Sequence, residues 1–446
     1  MLAYGWARVT PGGSGYVARD MIKARLVALG AVLTALTATA TAPAHAAWHV
    51  TTLANSETFL RGVDARPDRV PLILDERVSH GTSSLELRVG SKAPQTIATS
   101  RHSFGDVRVG HDDRGAVVVA WDALPATRNS RQLFVWSAAA GAPQQLTSAI
   151  PSTSLESLDV AGDGGAVLTG SNHSGVVVAR RAPGAARFGP VTTLATDVDI
   201  ASASAAGPGG RAVVAWTKEG ALQTAAADGA GAFGPTQTIA VPPAPGGGTA
   251  FVDGVRLAAT PTGRVVFATQ TLLDPNGGRS SGERVDAFDW AQGAAAPGPV
   301  QTISQAPFAG APALLARAEI VFIAWTETTA ANVGPRTMRV ARFGPDGVAP
   351  TTTYTNSDHN LGNVAGIPVL QALPGTAVRA YYRPTRSART YTVTFDENGR
   401  ARGAALVAER TNADIAGALV RNGSLLAWTR KLGTTNTSYR VQTATP

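Results

Sequence analysis

The 446-residue chain carries 48 glycines, 28 prolines, no cysteine and a net charge of +8 at neutral pH. Without cysteine it can form neither a disulfide nor a lipid-modified N-terminal cysteine, so packing alone must hold it together. Four basic residues and one acidic residue lie in 1–46, leaving +5 spread over the rest with no dense Lys/Arg run, which argues against nucleic acid. Nearly all the basic residues are arginine, a bias that fits a GC-rich coding sequence.

From Met21 the chain reads MIKARLVALGAVLTALTATATAPAHA. Lys23 and Arg25 give a basic start, Leu26 to Leu36 an apolar core and Ala44-His45-Ala46 a small-x-small cleavage site. That layout is a secretory signal peptide, and its apolar stretch is too short to span a bilayer. Residues 1–20 fit neither a signal peptide nor a domain, so translation is expected to start at Met21. A long n-region from Met1 is the alternative. The expected localisation is secreted, extracellular or cell-wall associated, with no membrane span after cleavage.

The mature sequence is repetitive. Apolar runs, four of them ending in Ala-Trp, occur at 69–75, 115–122, 165–171, 210–217, 263–270, 319–326, 376–382 and 423–429. A strand-like segment and a Gly/Asp/Asn/Pro turn precede each. A polar loop and another strand follow, as in QLFVWS (132–137) and GVVVAR (175–180). The unit is therefore four short strands, A to D, joined by hairpins. Strand B is apolar on consecutive residues rather than alternate ones, so both its faces are covered. Four-stranded units stacked face to face satisfy that everywhere, which is a β-propeller.

Seven D strands follow their own A-B-C set, at about 94–98, 144–148, 190–195, 235–240, 299–304, 349–354 and 404–408. The eighth set, 414–443, stops after strand C. Its missing strand is WHVTTLA at 48–54, which would close the ring from the front of the chain and remove two open edges. The expectation is one all-β domain, 47–446, of eight blades. Seven is the alternative if 69–75 does not build a full blade.

Strand, D-x-x-G-like turn, VVVAW, polar loop, strand, G-x-F-G-P and TTLA resembles the sialidase-like propellers of the BNR (Asp-box) type, in their degenerate, secreted bacterial branch. The resemblance covers 48–446. In that family S-x-D-x-G-x-x-W occupies the C-to-D turn. Here those turns read DGAGAFGP (228–235), APGAARFGP (182–190) and DENGRARG (396–403). Asp228 and Phe233 keep the Asp-to-aromatic spacing, but no turn has the whole motif. Sialidase catalysis would require an arginine triad, a Tyr/Glu pair and an acid/base Asp, and no such set can be placed, so no catalytic residue is assigned.

The B-to-C loops look longer and more polar than the other turns, so the face they share with the D-to-A connections is the expected functional one. Trp121, Trp216, Trp325 and Trp428 end their B strands toward it, and their identical placement predicts indoles packed between blades. Asp106, Glu156, Asp199, Asp253 and Asp414 lie near A-strand entrances. Turn capping accounts for them. The alternative is a channel-mouth cation site, for Ca2+, at Asp106, Asp199, Asp253 and Asp414. His80, His102, His173 and His359 lack metal-ligand spacing, and no metal site is expected. In RAYYRPTRSARTY (379–391), Arg383, Arg386 and Arg389 beside Tyr381 and Tyr382 suit carboxylate or sulfate groups on sugars. A solvated basic loop is the competing reading. Together these residues predict a monomeric, non-catalytic binder of a glycan or an extracellular protein. The alternative is a degenerate sialidase-like glycoside hydrolase.

Overall fold

The computed structural model describes residues 49–52, 58–125, 130–147, 152–172, 175–198, 202–229, 231–274, 282–304, 307–328, 337–348, 352–354, 368–375, 377–382, 390–396, 398, 400–408, 415–420, 423–431 and 439–445. The strands fall into antiparallel sets of four, each first strand pairing with the second, the second with the third and the third with the fourth. Set 1 comprises Thr58–Ala65, Pro71–Ser79, Thr82–Val89 and Gln95–Ser100. Set 2 is Val107–His111, Val117–Ala123, Gln132–Ser137 and Gln144–Gln145. Set 3 is Ser154–Val160, Ala166–Asn172, Gly175–Arg181 and Thr192–Thr196. Set 4 is Ser202–Ala206, Ala212–Lys218, Ala221–Ala227 and Gln237–Ile239.

Set 5 holds Thr249–Ala259, Val265–Asp274, Gly282–Trp290 and Gln301–Thr302, and set 6 holds Ala313–Arg317, Ile320–Thr328, Thr337–Gly344 and Thr352–Tyr354. A short strand, Phe308–Ala309, pairs parallel with set 5 at Glu283 and antiparallel with set 6 at Thr328, and with Gly347–Val348, which pairs with the third strand of set 6, merges the two sets into one ten-stranded sheet. Set 7 is Val369–Ala372, Val378–Tyr382, Thr390–Phe395 and Ala401–Ala408. Set 8 takes Ile415–Val420, Gly423–Lys431 and Tyr439–Thr445 from the end of the chain and His49–Thr52 from its front, with His49 opposite Thr445.

Why the second strands are apolar throughout is visible in their packing. Val117, Val119 and Trp121 pack with Leu72, Leu85 and Ile97 of set 1. Val118 and Ala120, pointing the other way, pack with Leu155, Leu168 and Val177 of set 3. Equivalent clusters lie between sets 3 and 4, 4 and 5, 5 and 6, and 6 and 7. The core is thus a series of layers between sheets, and a strand sandwiched by two layers has no polar face to alternate with. Trp121, Trp216 and Trp325 are 2%, 1% and 0% exposed. Trp121 stacks on Phe134 at 5.7 Å and meets Phe104 edge-on at 6.4 Å. The side chain of Trp428 lies outside the described residues.

First strands of neighbouring sets lie against one another. That of each set touches that of the next, and Ile415–Val420 of set 8 touches Thr58–Ala65 of set 1. The turns between first and second strands use Asp as expected: Asp112 Oδ1 accepts from the main-chain N–H of Arg114 at 3.0 Å and of Ala116 at 2.7 Å. The second-to-third connections are less uniform than the sequence suggested. His80-Gly81 and Glu219-Gly220 are tight turns at positive φ on both residues, the geometry that matches strand twist in a two-residue hairpin. Long loops are therefore confined to part of that face.

Candidate functional site

A cavity of about 950 Å3 opens between the first strands of sets 2 to 6. Gly220, Val198 and Pro312 on its rim place it on the side of the second-to-third and fourth-to-first connections. Its charged lining is Arg108, Glu156, Asp253 and Arg256, with Gln270 and Phe251 beside them. Phe251 is 40% exposed, the one large hydrophobic side chain exposed among the described residues. Its ring lies against the bare backbone of Gly220, where a Cβ would collide with it. The main-chain N–H of Val252 fixes this seat by donating to the Gly220 carbonyl at 2.8 Å.

Backbone irregularity aims the two acids. In set 3 the pairing runs Leu155 opposite Gly170, then Ser157 opposite Thr169, so Glu156 is an inserted, bulged residue. In set 5, Val252 faces Thr271 and Gly254 faces Gln270, making Asp253 the bulged residue. Arg61 holds the same position in set 1. A bulge turns a side chain out of the regular alternation, and bulges concentrate beside binding sites for that reason. Glu156 and Asp253 are thus within strands, not caps at strand entrances.

Burial pushes the Glu156 carboxyl above its ordinary value; the Ser171 hydroxyl, which donates to its Oε1, opposes this, the charge of Asp106 adds to it, and Arg108 and Arg256 oppose it. Arg256 is held below its usual value, first by desolvation and then by the like charge of Arg108. Asp106 lies at the edge of this group, exposed and 3.4 Å from Arg108 Nη1. Among the described residues no three carboxylates or histidines converge on a common point. The lining instead combines donors, acceptors and one exposed ring, a set suited to hydrogen-bonding a polar molecule that also has an apolar face.

The other sequence-derived candidates are placed as follows. Asp199, Asp414, Arg383, Arg386 and Arg389 lie outside the described residues, as do His173 and His359. Tyr381 and Tyr382 are 1% and 3% exposed, so neither forms an aromatic rim. The reason is their place at the end of a second strand, where both faces are covered: Tyr381 donates to Gln371 Oε1 at 2.6 Å and Tyr382 stacks on Tyr391 at 5.9 Å. His80 is exposed beside Ser79 Oγ at 2.9 Å, and His102 is exposed. Phe251, Arg108 and Arg256 did not stand out in the sequence. A lone Phe in a Gly-rich stretch has no periodicity to mark it, and only the meeting of several sets brings it to the cavity.

No family model matches this chain, and no curated protein resembles it in sequence. Solved structures do resemble it. The Dos1 propeller aligns with a TM-score of 0.52 at 9% identity, over 89% of this chain and 94% of that one. An ulvan lyase, of a new family of polysaccharide lyase, aligns with a TM-score of 0.50 at 8% identity, over 88% and 95%. Prolyl endopeptidases align with a TM-score of 0.42 at 12% identity, and this chain spans only 55% of their length while 84% of it is covered. At such identities the likeness shows the fold alone: the chain is a β-propeller.

Proposed function

We propose that this protein is a secreted, non-catalytic β-propeller of eight blades that binds a glycan in the cavity lined by Arg108, Glu156, Asp253, Arg256 and Phe251. The observation that carries the reading is the exposed Phe251 ring set among those charged groups. Sugars present hydroxyls that pair with carboxylates and guanidinium forks, and a C–H face that packs on an aromatic ring. The eight-bladed count draws support from the first-strand contacts that return from set 8 to set 1. Pairing of His49–Thr52 with Tyr439–Thr445 supports closure of the ring by the front of the chain. The cavity then sits at the mouth of the central channel. Membership of the degenerate Asp-box branch is supported by Asp228 and Phe233, which keep that motif's spacing. Secretion rests on the 21–46 leader, and the exported protein should begin within a residue or two of Ala47.

A glycan array read with the exported protein tests binding. Salt-resistant retention of a defined oligosaccharide class is expected, and an array without any retained glycan removes the reading. The competing glycoside hydrolase reading draws on Glu156, whose raised pKa suits a proton donor. It requires turnover of a fluorogenic glycoside panel that disappears in Glu156→Gln; the binding reading predicts no turnover.

A further inference from the structure

Between sets 3 and 4, where the third-to-fourth connections and the turn before the second strand of set 4 meet, lies another cavity, of about 730 Å3. It is on the side opposite the one just described and shares no residue with it. Its walls are largely apolar, with Leu194, Pro190 and Phe233 among the lining residues; Phe188, also at the wall, is 5% exposed and packed in the layer between sets 2 and 3. Its charged lining is three arginines, Arg180, Arg181 and Arg187, with no Asp or Glu among the described residues that line it.

Two of these cations are fixed. Arg180 reaches across the gap to the carbonyl of Gly229 at 3.1 Å and to that of Gly231, with its guanidinium over the Phe233 ring at 5.0 Å. Arg181, 4% exposed, donates from Nε to the Gly164 carbonyl at 3.1 Å. Arg187 is exposed at the rim and has no hydrogen-bond or ion-pair partner among the described residues. The nearby carboxylates already have partners, and none is paired with Arg187. Asp228 Oδ1 lies 3.8 Å from Arg211 Nε, Asp163 Oδ2 accepts from the Gly209 N–H at 2.6 Å, and Asp112 offsets Arg181. Gly209, Gly210 and Gly229 stand at φ of 69°, 81° and 61°, a conformation that keeps side chains off that wall.

The geometry points to a second ligand site here, for a small anionic amphiphile: one carboxylate, sulfate or phosphate group on an apolar body. The head would pair with Arg187 and lie in the field of Arg180, and the body would cover Phe233, Leu194 and Pro190. Guanidinium forks match such oxyanions, and the size is that of ordinary small-molecule sites. The inference is independent of glycan binding, because the two cavities have separate linings.

Isothermal titration with decanoate, below its micellar concentration, tests it, with decanol and acetate as the uncharged and tail-less controls. Decanoate should saturate a single site, and each control should bind about tenfold more weakly or worse, since each lacks one half of the recognition. Arg187→Gln should weaken decanoate by about tenfold, the cost of one charge-assisted contact, and leave decanol unchanged. Phe251→Ala should leave all three isotherms unchanged. The inference fails if decanoate does not saturate, if decanol binds equally well, if Arg187→Gln has no effect or if Phe251→Ala abolishes decanoate binding. Retention on phosphatidylglycerol vesicles without binding of free decanoate would also overturn it, in favour of a membrane surface.

Discussion

Arg264 Nη1, at the turn into the second strand of set 5, donates to the main-chain carbonyl of Gly344 in set 6 at 2.9 Å. The same guanidinium donates to the Glu319 carbonyl, lies 3.3 Å from Asp289 Oδ2 and stands over the Phe343 ring at 5.9 Å. Neighbouring sets repeat the device. Arg180 reaches from set 3 to Gly229 after the third strand of set 4, and Arg211 from set 4 to Ala291 at 3.2 Å after that of set 5. Arg317 reaches from set 6 to Leu373 of set 7 at 2.5 Å. Sheets that otherwise meet through apolar layers are thus joined near their turns by planar forks donating to turn carbonyls. The arginine bias has a structural role here that coding composition does not supply.

Arg264→Lys should therefore behave as a disruptive change. An ammonium cannot serve carbonyls and a carboxylate in different directions at once. A loss of about 2–4 kcal/mol is expected, from buried acceptors left unpaired. Urea unfolding of the variant and of the wild type measures it; an unchanged midpoint would refute the role of these forks.

Gly105 carries a similar constraint. Its main chain passes so close to the Asp122 carboxylate and Arg131 that a Cβ would fall on both. Asp122 is a hub: it pairs with Arg131 and accepts the main-chain N–H groups of Asp106 and Leu155 at 3.1 Å each, tying set 2 to set 3. Gly105→Ala should displace this part-buried pair and cost about 1–3 kcal/mol, from a buried carboxylate left short of donors. Thermal melting reads the effect, and a variant as stable as wild type would contradict the close approach.

On the opposite side, His111 of set 2 has Nε2 3.6 Å from Asp64 Oδ1 of set 1 and Nδ1 2.9 Å from the Asp112 carbonyl. Burial pulls its pKa down, but the hydrogen bond and charge of Asp64, with the carbonyls of Asp112 and Ala65, outweigh it and carry the value from 6.5 up to about 9. A raised folded-state value means that the stabilisation is complete below the ordinary 6.5 and is lost as pH rises through about 9. Unfolding midpoints at about pH 6 and pH 10 should differ more in the wild type than in Asp64→Asn, by ~1–2 kcal/mol after solvent screening. Equal differences would mean that the pair contributes nothing.

Removal of 47–56 should leave the third strand of set 8, Tyr439–Thr445, with an open edge. Aggregation or loss of a cooperative melt is expected, because an unpaired edge recruits other chains. A soluble, monomeric deletion variant with an unchanged melting temperature would argue against closure by this strand.

Much of the strand pattern was legible because a second strand buried on both faces leaves an unmistakable apolar run, as at 115–122 and 319–326. The same rule applied to TAVRAYY would have buried Tyr381 and Tyr382, but the adjacent arginines drew attention to them as a rim. The cavity was only half legible. Glu156 and Asp253 were visible as acids near first strands, whereas the bulges that aim them depend on pairing with partners in the second strand. Arg108 comes from set 2 and Phe251 and Arg256 from set 5, and they meet only when the sets pack. The arginine forks were invisible for the same reason: Arg264 and Gly344 are 80 residues apart, and no local pattern links a guanidinium to a distant turn carbonyl.

Glycan binding at the cavity is tested most directly by titrating the oligosaccharide best retained on the array into wild-type protein, Phe251→Ala and Glu156→Gln. Each substitution should weaken binding by about tenfold, the loss of one stacking or charge-assisted contact, with the unfolding midpoint kept. Isotherms for both variants that superimpose on the wild type would place the glycan elsewhere on the protein and contradict the assignment of this cavity.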